Sequence, residues 1–286
     1  MVIMRKVFDF LLYSNVWIAL AALAAYQQSH WVWQQELRWQ AYAGFLFWGT
    51  LLLYSLHRLI VLRKLRYSQA PHLVSARKWR RTIQIVLGLG LLATPYYYFQ
   101  LPLRQQALLL LPAALSLGYV LPLFGSGRRL RDLPYLKIFL IAASWTLLTA
   151  YIPFAEKDIA FLSFALHLLE RFSFIFTIAL LFDIRDIYTD ESTTVSTLPS
   201  QLGLSWSRRL GNIALAIFLI CFLLNSNVMC VYSYTQCVAA ILSATCTYLL
   251  IRLAHPRRSV YFYGLLVDGM IPLQSLLIYL SDWTTG

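Results

Sequence analysis

Several stretches of roughly 20 residues in this chain carry no charged side chain, among them 210–226 and 232–251, and no other feature limits the fold as strongly. A hydrocarbon core about 30 Å thick is crossed by roughly 20 helical residues rising about 1.5 Å each. Composition points the same way: at 59% hydrophobic and 13% charged, the chain has too little polar surface to cover a soluble domain. Apolar runs between charged breaks fall near 8–26, 41–62, 82–99, 106–124, 138–154, 160–182, 210–226, 232–251 and 259–280. The predicted fold is an all-α, polytopic membrane helical bundle of about nine transmembrane helices. No linker, low-complexity tract or internal repeat divides it, so residues 1–286 are read as a single transmembrane domain.

The net charge of +12 would suit a nucleic-acid surface only if the basic residues gathered on one soluble face. They sit instead between the apolar runs, so no nucleic-acid partner is expected. With the N-terminus inside, the inner side receives Arg5 and Lys6, seven Lys or Arg from Arg63 to Arg81, then Arg128, Arg129, Arg131 and Lys137. Arg185, Arg208, Arg209, Arg252, Arg257 and Arg258 follow on the same side, against only Arg38, Arg104 and Lys157 outside. That partition predicts a cytoplasmic N-terminus, an external C-terminus and a place in the cell (inner) membrane. Arg5 and Lys6 ahead of an alanine-rich run also resemble a signal peptide, but the rest of the chain is itself apolar enough to stay in the membrane, which favours an uncleaved first helix. Cys221, Cys230, Cys237 and Cys246 match no metal or redox spacing and read as small packing residues.

Four of the twelve acids, Asp183, Asp186, Asp190 and Glu191, fall within nine residues where the sixth run ends. Intervals of three and four put Asp183, Asp186 and Asp190 on one helix face. Three carboxylates there repel one another unless a cation lies among them, and hard oxygen ligands suit Mg²⁺ with substrate phosphate in its remaining positions. The alternative is a solvated helix end with Arg185 and the basic loops as counterions. Both readings stand on residue type alone.

The run Phe182-Asp-Ile-Arg-Asp-Ile-Tyr-Thr-Asp190, continuing through Thr197-Leu-Pro199 to Gln201-Leu-Gly203, resembles the second aspartate motif of the UbiA superfamily of intramembrane prenyltransferases. Leu117-Gly-Tyr-Val-Leu-Pro122 is more weakly similar to a loop of that family. The resemblance implies a UbiA-like helical bundle around a lipid-accessible cavity. There Mg²⁺ would be held by Asp183, Asp186 and Asp190, and the partners would be an isoprenyl diphosphate, a lipophilic and often aromatic acceptor, and membrane lipid. Ionisation of the allylic C–O bond, with the leaving diphosphate stabilised by metal and the carbocation shielded from water, would transfer the prenyl group. Arg185 would orient a carboxylate or touch phosphate, and Arg128, Arg129 and Arg131 would assist from the neighbouring loop, unless they only meet headgroups.

The family's first aspartate motif is missing. The matching stretch, Tyr54 to Arg63, offers Ser55, Leu59 and Arg63 at the ligand positions, and there is no Asp or Glu from residue 37 to residue 131. In one explanation Arg58, Arg63 and His57 neutralise diphosphate directly while the second motif keeps a single Mg²⁺. In the other, transfer chemistry is lost and the chain binds an isoprenoid or has a structural role, with Arg58 snorkelling to the headgroups and His57 merely packed. His167, Glu170 and Arg171 in the sixth run and Asp268 in the ninth are ionisable groups inside the membrane, hence candidate cavity residues, with Glu170 and His167 spaced to pair. Such residues also permit a transporter, although the lack of an internal repeat speaks against it.

Overall fold

A computed structural model describes residues 2–67, 71–121, 130, 133, 135–192 and 197–283. All of their regular structure is helical. Each of the nine apolar runs corresponds to one or more helices. Among the described residues, six helices are long and apolar enough to cross a membrane alone, and the number is seven if a bent pair at the N-terminus counts as one span. The chain divides into two compact units, 1–23 with 38–108, and 24–37 with 109–286.

The first unit holds α1 (Val2–Tyr13), the start of α2 (Val16–Gln34), α3 (Ala41–Lys64), α4 (Pro71–Lys78), α5 (Arg80–Tyr98) and the start of α6 (Leu103–Val120). The run expected as one segment over 8–26 is broken by 70° between α1 and α2. Asn15 makes the break, adopting φ 65°, a left-handed conformation that asparagine tolerates better than most residues. Its side-chain amide donates to Ser55 Oγ at 3.0 Å, so the bend is tied to α3. Helices α3 and α5 pack closely because glycines face the contact: a Cβ on Gly44 would lie 2.6 Å from the Tyr97 ring, and one on Gly90 3.1 Å from Leu52 Cβ. Small residues serve this purpose in lipid, where close packing replaces the hydrophobic drive between helices.

The second unit holds the rest of α2 and of α6, then α7 (Leu136–Thr146), α8 (Phe161–Ser192), α9 (Leu198–Asn227), α10 (Tyr234–Leu253) and α11 (Met270–Trp283). A π-helical turn, Leu147–Tyr151, and a 3₁₀ turn, Ile152–Phe154, extend α7, and a second π turn, Phe262–Val267, precedes α11. Helix α8 forms the core of this unit, with Phe174, Ile175, Phe176, Ile178, Leu180 and Leu181 all buried. Against it runs α9, whose Gly211 would place a Cβ in ordinary contact with Leu180 and Ile251. A reciprocal capping box, Thr197 with Ser200, opens α9, and Ser233 with Gln236 opens α10; each satisfies two N–H groups that the helix start leaves over. Gly203 interrupts α9 at φ 74° and ψ 169°. Nothing crowds a Cβ there, so backbone conformation rather than space requires the glycine.

Candidate functional site at the end of helix 8

The last described turns of α8 carry the acidic motif, and its members have different partners. Asp183 is 1% exposed and lies 2.7 Å, through Oδ1, from Nζ of Lys137, itself only 7% exposed at the start of α7. A buried carboxylate and a buried ammonium each lose hydration worth several kcal/mol, and pairing is what holds both ionised. Asp186 is half-buried and takes a two-point fork from its neighbour, Arg185 Nε to Oδ1 at 2.7 Å and Nη2 to Oδ2 at 2.9 Å. The Arg185 guanidinium lies over the Phe182 ring at 4.8 Å and near the Tyr263 ring at 5.9 Å. Asp268, on the segment leading into α11, is near enough for its charge to act on Arg185. The backbone of Asp190 lies in α8, but its side chain is outside the described residues, as are Arg128, Arg129 and Arg131.

On α3, in the first unit, Arg58 donates through Nη1 to the carbonyls of Leu12 at 3.0 Å and Tyr13 at 3.1 Å. It thus satisfies the last turn of α1, where a helix leaves carbonyls over and a cation is favourable, and its guanidinium sits over the Tyr13 ring at 5.8 Å. His57 is half-buried one residue earlier, and Arg63 is exposed on the last turn of α3.

His167 and Glu170 do not join the acidic motif. They lie about 20–24 Å from Asp183 along α8, at about 1.5 Å per residue, in a buried polar cluster of the second unit. His167 Nδ1 is 2.8 Å from Glu170 Oε1 and 2.9 Å from the Tyr232 hydroxyl, and its Nε2 is 3.0 Å from Ser29 Oγ. Arg171 Nη2 donates to Ser29 Oγ at 3.3 Å, and the Tyr232 hydroxyl donates to Glu170 in a short bond. Phe222 stacks on Tyr232 at 3.8 Å. The spacing of His167 and Glu170 is legible in sequence; Ser29 and Tyr232 reach them only through the fold.

Superposition on solved structures gives the frame for these positions. A UbiA homolog from Archaeoglobus fulgidus bound to GPP and Mg²⁺ aligns with a TM-score of 0.66 at 12% identity, covering 97% of this chain and 98% of that one. The chain has the UbiA fold. The apo UbiA homolog from Aeropyrum pernix K1 aligns with a TM-score of 0.60 at 13% identity over 97% and 98% of the two chains. Digeranylgeranylglyceryl phosphate synthase aligns at 0.56 and 11% identity over 97% of each. No protein-family model and no curated protein matches the sequence, so the likeness to the UbiA fold rests on three-dimensional structure rather than on residue identity.

For a Mg²⁺ ion in this UbiA-fold chain, the donor chemistry is divided. Asp186 offers the hard carboxylate oxygens the ion requires, at a half-buried position. Asp183 does not fit as a ligand while Lys137 faces it, because the ammonium already neutralises the carboxylate. Among the described residues, no three His, Cys, Asp or Glu come together as a metal site. In sequence Lys137 reads only as a loop charge; its position at the head of an apolar run is the available signal, since a lysine drawn into a membrane helix needs an acidic partner.

Proposed function

We propose that the protein is a membrane prenyltransferase that moves an isoprenyl group from an isoprenyl diphosphate to a lipophilic acceptor. The observation that carries this reading is the Arg185–Asp186 pair, beside the buried Lys137–Asp183 pair, at the end of α8 in a UbiA fold. Asp186 and Asp190 would hold a single Mg²⁺, which when bound neutralises charge on the diphosphate. Asp183 would stay with Lys137 and fix the end of α8 against α7. Arg185, stacked on Phe182 and Tyr263, would orient Asp186 and present its remaining N–H groups to phosphate. Within the first unit, Arg63, exposed on α3 at the place of the missing acidic motif, would contribute charge toward diphosphate without metal, whereas Arg58 is engaged by the Leu12 and Tyr13 carbonyls. The orientation in the membrane follows the charge partition, with the acidic motif cytoplasmic.

One observation favours a second reading, binding of an isoprenyl diphosphate without turnover: no Asp or Glu occurs from residue 37 to residue 131, and Asp183 is already neutralised by Lys137. Incubation of the purified chain with labelled isoprenyl diphosphates of several chain lengths, with and without Mg²⁺, separates the two. Metal-dependent release of pyrophosphate supports the transferase; retention of intact diphosphate supports the binding protein. A chain that neither binds nor turns over any of them refutes both.

A further inference from the structure

Arg208, Arg252, His255, Arg257 and Arg258 line a shallow hollow of about 420 Å³ in the second unit. Arg208 comes from α9, Arg252 from the last turn of α10 and the rest from the connection that follows. The hollow is therefore made by tertiary structure and not by one basic run. It lies between the end of one candidate membrane span, Tyr234–Leu253, and the start of another, Phe262–Ser281, with Arg208 just ahead of the charge-free run 210–226 of α9, and charges at the ends of apolar runs meet headgroups. The connection is pinned: the Tyr263 hydroxyl accepts from the His255 N–H at 3.1 Å and donates to the His255 carbonyl at 3.0 Å.

Part of this charge has a structural use. Arg208 Nη2 donates to the Ala254 carbonyl at 2.7 Å and Arg258 Nε to the Leu253 carbonyl at 3.0 Å, capping the end of α10. The surplus is large. The side chains of Arg252 and Arg257 are exposed and enter no hydrogen bond or ion pair among the described residues, and Arg208 Nε is buried with no hydrogen-bond partner. No Asp or Glu occurs from residue 192 to residue 267, so the segments that build the hollow bring no carboxylate of their own; the Asp186 charge reaches only as far as Tyr263, beside Arg185. Four guanidinium groups held around one concavity repel one another unless an anion joins them, and their forks match a phosphate at two points each.

We infer that this hollow is a phosphate-binding site, built from residues other than those of the acidic motif and suited to the phosphate of an anionic membrane lipid or to the free anion. Generic attraction of a basic loop to the membrane surface differs from a built site in one testable way: every positive charge on that face would contribute equally. Arg209 supplies the control. It is exposed over Trp206, 5.0 Å from the ring, one residue from Arg208 yet outside the hollow.

The test uses the purified full chain, stripped of lipid in neutral detergent, with bound phosphatidylglycerol or phosphatidylcholine counted by native mass spectrometry. Phosphatidylglycerol should bind in preference, and Arg252→Gln or Arg257→Gln should each weaken it about tenfold, whereas Arg209→Gln leaves it within about twofold. In a second arm inorganic phosphate is added: displacement of the lipid identifies the free anion as a ligand, and persistence of the lipid identifies the lipid-borne phosphate. Equal weakening by Arg209→Gln, binding unchanged in Arg252→Gln and Arg257→Gln, or equal uptake of phosphatidylcholine would each overturn the site.

Discussion

Lys137 and Asp183, 46 positions apart in sequence, meet at 2.7 Å where α7 begins and α8 nears its end, both almost fully buried. A motif carboxylate that residue spacing alone would assign to a metal is thereby held as half of a buried ion pair. Breaking such a pair from one side leaves an uncompensated charge away from water. Lys137→Met or Asp183→Leu alone should destabilise the chain by about 3–5 kcal/mol, and the double substitution by much less. Reversible unfolding in detergent, run as a double-mutant cycle, measures this; additive losses would show that the two side chains do not act as a pair.

Arg58 and Arg63 should respond differently to truncation. Arg58→Ala removes the donor to the Leu12 and Tyr13 carbonyls, so stability should fall with any loss of ligand. Arg63 is exposed, and Arg63→Ala should leave stability unchanged while weakening isoprenyl diphosphate binding about tenfold or more, the value of a charge-assisted hydrogen bond to phosphate. Binding by wild type should survive chelation of Mg²⁺ in part, and Asp186→Ala should remove the increment that metal adds. Titration of a diphosphate analogue with and without chelator reads all of these. Wild-type affinity in Arg63→Ala would leave that residue as a headgroup anchor only.

Tyr232 donates to the buried Glu170. Tyr232→Phe should cost about 1.5–3 kcal/mol, as for a hydrogen bond to a charged group. Reversible unfolding of wild type and Tyr232→Phe in detergent measures this, and equal stability of the two would rule it out.

At the α3–α5 contact, Gly44→Ala drives a Cβ to 2.6 Å from the Tyr97 ring. Overpacking of this kind costs about 1–3 kcal/mol. Tyr97→Ala added to Gly44→Ala should recover most of the loss, measured by thermal unfolding in detergent. No recovery would mean that another neighbour sets the limit.

The distribution of Lys and Arg predicts a cytoplasmic N-terminus and an external C-terminus. Reporter tags at the two ends should lie on opposite faces of the membrane. Tags on the same face would require an even number of crossings.

Helix positions were legible because a long charge-free run has few alternatives in lipid, and the nine runs all became helices. Their finish was less so. The 70° bend at Asn15 lies inside an unbroken apolar run, where hydropathy carries no information about a left-handed residue. The resemblance of Phe182 to Gly203 to an aspartate motif pointed to the right fold, but part of that stretch has a local structural use: Thr197 caps α9 and Gly203 supplies a φ of 74°.

Residue type and order determined that this protein is helical and membrane-spanning, where its acids cluster and which acidic motif is missing, because these follow from hydropathy and spacing along one segment. Tertiary structure alone decided which partner each ionisable group meets: Lys137 with Asp183, Arg58 with the end of α1, Tyr232 with Glu170, and Arg208 with the end of α10. A buried charge takes whichever opposite group or carbonyl the packing of helices brings within about 3 Å. That neighbour, often dozens of residues away, leaves no periodic trace in the sequence.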